Sequence, residues 1–227
     1  MNFFSRCTAF AAAALLAAGS APAAAQTSPI FVLNSLDASV SVIDPVSWKE
    51  TKRITTGKEP HHLYLTPDEK SLIVANALAD SLTFLDPRTA EVQRTVRGIG
   101  DPYHLRFSPD MKWFVTAANR LNHVAICRWQ PADAAQPLKL VKRVDAGCTP
   151  SHLNIDSHST VVYASLQDSD ELTAIDLATQ KTRWTIPVGK LPADLYLTAD
   201  DRLLFVGLTR ATAATSMSAT ASPTPSA

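Results

Sequence analysis

Four of the chain's seven glycines hold one equivalent position in a long internal period, and that period limits the fold more than any other feature. Gly57, Gly100, Gly147 and Gly189 stand 43, 47 and 42 residues apart. Each is followed two or three residues on by a proline: Pro60, Pro102, Pro150 or Pro192. Next comes a short alternating run, HLYLTP, HLRFSP, HLNIDS or DLYLTA, and a polar turn, PDEK, PDMK, DSHS or ADDR. A buried-type strand follows: SLIVAN, WFVTAA, VVYASL or LLFVGL. A third strand (SLTFLD, HVAICR, ELTAID) and a fourth before the next glycine complete the period. The N-terminal IFVLNS matches the second strand, so the repeat enters part-way through a unit. The runs are rich in Val, Ile, Leu, Thr and aromatics and are separated by Asp, Asn, Pro and Ser, which is strand-and-turn chemistry. Four antiparallel strands in about 40 residues is the period of a propeller blade. One such sheet cannot bury both faces alone, whereas stacking on neighbours does so. The expected class is all-β: a β-propeller of four-stranded antiparallel blades.

The runs FVLN, IVAN and FVTA resemble the Tyr-Val-Thr-Asn motif of the YVTN β-propeller family. TPDEK and SPDMK resemble that family's Ser-Pro-Asp-Gly-Lys turn, with Glu69 and Met111 where glycine is usual. The resemblance spans residues 30–208. It implies a periplasmic or secreted propeller, usually seven-bladed, while this chain carries material for about four blades. It implies little about chemistry, because one fold hosts many functions.

The two ends read differently from the repeats. Residues 1–25 have a basic start at Arg6, an apolar Ala-rich stretch and small residues before a cut, the pattern of a secretory signal peptide. Residues 209–227 form a low-complexity tail; from Ala211 onward every residue but Met217 is Ala, Thr, Ser or Pro. Two readings of the tail stay open: a disordered linker, or the out-of-frame remnant of a longer propeller. Twenty-one basic residues balance 21 acidic ones, which argues against a nucleic-acid surface. After the leader no long uncharged apolar run suggests a membrane span.

His62, His104, His152 and Asp194 occupy one equivalent position, each directly before a leucine at the start of the first strand of its period. In a propeller that strand is normally innermost, so the four would converge on the central channel. Three imidazoles and a carboxylate there suit a transition metal or haem iron, or an anionic small molecule when protonated. The bland alternative is that each histidine bonds the backbone of a neighbouring blade, and recurrence in every blade favours it. His61 is unique to its period and is the candidate for a non-repeated role. Adjacent strand residues point to opposite faces, so His61 and His62 are not expected to chelate together.

Weaker features complete the inventory. Export permits a disulfide between Cys127 and Cys148, although two unpaired thiols fit the pattern better. Asp44, Asp86 and Asp176 end third strands and are expected to cap turns. Trp48, Trp113, Trp129 and Trp184 are expected to pack between blades. The insertion at residues 130–139 reads as a lengthened hairpin loop. No nucleophile elbow, phosphate-binding glycine loop or zinc-finger spacing occurs. The expected function is therefore an exported propeller that binds a small ligand or a protein through its loop face or channel. The alternative is a metal- or haem-dependent propeller using the channel histidines, similar in repeat style to haem-binding nitrite-reductase and lactonase-like propellers. A cell-surface adhesive role is a third reading.

Overall fold

The computed structural model describes residues 28–210 and 219–220. The predicted leader, and the tail apart from one short strand, lie outside the described residues. Eighteen strands form five antiparallel sheets. The first sheet holds β1 (Ile30–Asn34), β2 (Ser39–Ile43) and β3 (Glu50–Thr55). Three complete sheets follow. They are β4 (Pro60–Leu65) to β7 (Val92–Arg97) through β5 (Leu72–Asn76) and β6 (Ser81–Leu85); β8 (His104–Phe107), β9 (Trp113–Ala118), β10 (His123–Trp129) and β11 (Leu138–Asp145); and β12 (Pro150–Ile155), β13 (Val161–Leu166), β14 (Glu171–Asp176) and β15 (Lys181–Pro187). The fifth holds β16 (Pro192–Leu197), β17 (Leu203–Leu208) and β18 (Ala219–Thr220). The strands thus amount to a little over four blades, spread over five sheets because the first sheet starts at a blade's second strand.

Each sheet is a simple meander, so neighbours in sequence are neighbours in the sheet. Strand side chains alternate between faces, and the second strand of each of the three complete sheets is buried on both. Val74 of β5 packs with Val40, Val42 and Ile54 of the first sheet, while its neighbour Ile73 packs with Phe114 and Cys127 of the third. Leu153, Val162 and Ile175 join Val115 and Ile126 between the third and fourth sheets. Leu195 and Leu204 close on Tyr163 and Leu172 between the fourth and fifth. This double-sided burial is why the second-strand runs read as continuously apolar. Each large aliphatic side chain so buried contributes about 1.5–3 kcal/mol.

The turns recur as the sequence did. Asp44, Asp86 and Asp176 each accept backbone N–H bonds from the turn that follows, at 2.6–3.1 Å. Glu69 and Met111, the two departures from the family glycine, have left-handed backbones with φ of 56° and 59°. The residue before each repeat proline is also left-handed: Glu59, Asp101, Thr149 and Leu191. Loops of adjacent blades are tied there. Asp80, Asn122 and Asp170 accept the N–H of Asp101, Thr149 and Leu191, each at 2.9 Å.

One expectation is corrected. Trp48 is 73% exposed on a left-handed turn and packs between no blades, whereas Trp113 is buried and Trp129 and Trp184 pack against cores. Cys127 and Cys148 are both free thiols. Cys127 is enclosed in strand β10, where burial pushes its thiol up to about 12, and Cys148 is exposed on the loop before β12.

Candidate functional site

The first strands of the second to fifth sheets, β4, β8, β12 and β16, pack in sequence along one edge of the arc. They are the inner strands expected from the repeat. The Gly–Pro loop feeds each of them, and the register slips just inside β4, β12 and β16, between Pro60 and His62, Pro150 and Leu153, and Pro192 and Leu195. A bulge of this kind re-aims side chains at a sheet edge.

His62, His104 and His152 converge at this edge, with ligating atoms all within 4.8 Å of one another. Their ring centroids are 4.7, 4.8 and 5.3 Å apart. His104 is buried and the other two are partly so. Two of the rings also bond the next blade. His62 Nδ1–H donates to the Tyr103 carbonyl at 2.6 Å. A carbonyl can only accept, so the neutral ring carries its proton on Nδ1 and keeps a lone pair on Nε2. Leu153 N–H donates to His104 Nδ1 at 3.3 Å, whereas His152 Nδ1 meets the Ser151 hydroxyl of its own blade at 3.0 Å. The blade-to-blade role and the convergence therefore coexist.

Burial pushes all three imidazoles toward the neutral form. His62 is lowered to about 4 and His104 to about 2, with desolvation the main cause in each. His152 is lowered for the same reason, against the opposing charge of Asp194. Near neutral pH the cluster is three uncharged nitrogen donors, the state a transition metal requires.

His61 departs from expectation. The bulge brings its Nδ1 to 3.0 Å from His62 Nδ1, although regular strand geometry would separate the two rings. It also stacks on Tyr103 with centroids 4.0 Å apart. Asp194 does not join the cluster: it is exposed, and its Oδ1 accepts the N–H of Leu195 at 2.8 Å. Three further residues belong to the site and carry no motif of their own. Tyr103 and Ser151 hold the repeat position of His61. Arg106 lies two residues after His104 on the same strand face. The signal that could have found them is the repeat alignment, extended one residue before and two after each histidine.

The chemistry of the donors discriminates among ligands. An ion held at about 2.1 Å by tetrahedral nitrogens needs them roughly 3.4 Å apart, so the rings would draw in by an amount that side-chain rotation supplies. A haem does not fit, because rings in edge contact leave no slot for a planar macrocycle. Asp156, His158 and Asp201 also approach one another, but Asp156 and Asp201 are occupied in capping backbone N–H groups. A cleft of about 480 Å³ lies apart from the histidines, at the outer rim between β7 and β10–β11, and touches Arg97, Cys127 and Arg143.

No curated protein matches the chain. Solved structures match its fold. Hydrazine synthase of Kuenenia stuttgartiensis superposes with a TM-score of 0.65 at 20% identity, over 80% of this chain and 52% of that one. A candidate 6-phosphogluconolactonase of Bacteroides fragilis gives 0.64 at 15% identity, over 78% and 62%. The Cps50 (Swd1) β-propeller domain of Myceliophteria thermophila gives 0.58 at 16%, over 77% and 57%. The chain thus spans between half and two thirds of the length of these structures. A family model described as YNCE-like beta-propeller matches residues 5–224.

Proposed function

The chain belongs to the YNCE-like β-propeller family, and from that premise we propose that it is a binding propeller whose ligand is a divalent transition-metal ion held at the channel edge. The observation that carries this reading is the convergence of three neutral imidazoles, from three successive inner strands, within 4.8 Å. Imidazole suits zinc, copper, nickel and iron, and a set without carboxylates or thiolates disfavours magnesium and calcium. His62 would ligate through Nε2, with its Nδ1–H fixed on the Tyr103 carbonyl. Such a second bond orients a metal ligand. His104 would ligate through Nε2 by switching tautomer, giving up its long bond from Leu153 N–H. His152 completes the set. The leader expected over residues 1–25 suggests that the ion is met outside the cytoplasm.

A second reading has its own support. Two of the same rings, His62 and His104, bond the next blade's backbone, so the cluster could serve only to pin blades together. Equilibrium dialysis of the purified full chain against zinc separates the two. The metal reading expects about one ion per chain and its loss in a His62→Ala/His104→Ala/His152→Ala variant. Zinc retained by that variant, or no uptake by the native chain, overturns it. Should the triple variant not fold, His104→Gln, which keeps an acceptor for Leu153 N–H, reads the same effect.

A further inference from the structure

The three imidazoles are uncharged, and a fixed positive charge stands beside them. Arg106 lies on β8 two residues beyond His104, on the same face and about 7 Å further along the strand. Its Nε–H donates to the Leu153 carbonyl at 3.1 Å, and its Nη1–H to the Tyr64 hydroxyl at 2.8 Å. The guanidinium therefore reaches from β12 to β4 across the layer next to the histidines. His104 and Arg106 grip the backbone N–H and C=O of one residue, Leu153, since Leu153 N–H donates to His104. Arginine has five N–H donors, and these two bonds use two of them. Among the described residues no carboxylate pairs with Arg106. Its charge also helps to keep His62, His104 and His152 unprotonated.

A divalent ion on three neutral ligands would add two positive charges next to this guanidinium. The carboxylate that repeat alignment brings nearest, Asp194, is turned onto its own backbone. Like charges in a partly buried site repel strongly unless an anion joins them. We propose that the centre binds its metal ion together with a small oxyanion, a carboxylate, carbonate or phosphate, that bridges the ion and the Arg106 guanidinium. This rests on the metal reading above. The reach is suitable: a metal–oxygen bond of about 2.1 Å and a guanidinium–oxygen bond of about 2.8 Å leave a gap that two oxygens of one anion span. Arginine presents a fork that matches such an anion, which lysine does not.

The test uses cobalt(II), whose visible band reports its coordination. Full-length protein is loaded with cobalt and titrated separately with acetate, bicarbonate and inorganic phosphate. The proposal expects one of these to shift the band saturably, and the midpoint to rise at least tenfold in Arg106→Gln, compared at full cobalt loading of both proteins. Arg106→Lys keeps the charge without the fork and should fall between the two; it also serves if Arg106→Gln does not fold. A cobalt band that no anion moves, or an anion response equal to the native one in both Arg106 variants, overturns the anion bridge and leaves the metal reading standing. A native chain that takes up no cobalt removes both. Which anion acts identifies the source, a metabolite carboxylate or an inorganic ion.

Discussion

At Met111 the main chain is left-handed, with φ of 59°, and the side chain is 53% exposed. A residue with a Cβ is strained there by about 1–2 kcal/mol relative to glycine. Glycine recovers part of this while making the unfolded chain more flexible. Met111→Gly should therefore raise stability by about 0.5–1 kcal/mol, read as a higher urea midpoint with an unchanged m-value. The histidines predict the opposite kind of sensitivity. Their ordinary value is 6.5, and in the fold His62 falls to about 4 and His104 to about 2. Between pH 6.5 and 4 the unfolded chain thus binds more protons than the native one, so stability falls as pH falls. The expected outcome is a denaturation midpoint that is flat above pH 7 and drops from 6.5 toward 4, with a shallower drop in His104→Gln.

Between elements, the loop tethers have measurable weight. Asp101 is 1% exposed, donates its N–H to Asp80, and receives both the backbone N–H and the guanidinium of Arg120. Arg120 in turn donates to the Ala77 carbonyl at 2.8 Å, so one carboxylate fastens the second blade to the third. Bonds to a charged group contribute about 1.5–3 kcal/mol. Asp101→Ala should lose about 2 kcal/mol in chemical denaturation, more than Asp44→Ala on an isolated turn. At this scale the sequence was most informative. Strands, turns and the inner position of the histidines follow from a 43-residue period, because period 2 and turn chemistry are local properties. The His61–His62 contact was not legible, since a one-residue bulge reverses the alternation that predicted their separation. The place of Arg106 was within reach of the repeat alignment, but its role was not: it depends on Tyr64 and Leu153, residues 42 and 47 positions away. Trp48 misled because aromatic content signals packing only on average.

Across the whole molecule, burial falls away at the last sheet. Tyr196 and Phe205 are cross-strand partners on its outward face, 72% and 54% exposed. In a propeller such a face normally meets another blade, and an exposed apolar pair of this kind promotes association. Sedimentation velocity of the full chain should show self-association that rises with concentration and is reduced by Phe205→Lys. Constant monomer at every concentration would remove the idea. The inner-strand bonds have a further consequence, and it concerns time. His62 reaches forward 41 residues to Tyr103, Arg106 forward 47 to Leu153, and Asn154 forward 41 to Leu195. Others run backward, from Arg106 to Tyr64 and from Leu153 N–H to His104, so in either direction the earlier sheet waits on the later one. As the chain emerges N-terminus first, each sheet is left with an unanswered polar group until one more period has followed it. Assembly is then expected to run one blade behind synthesis, because each inner-strand bond is complete only once the following blade is present.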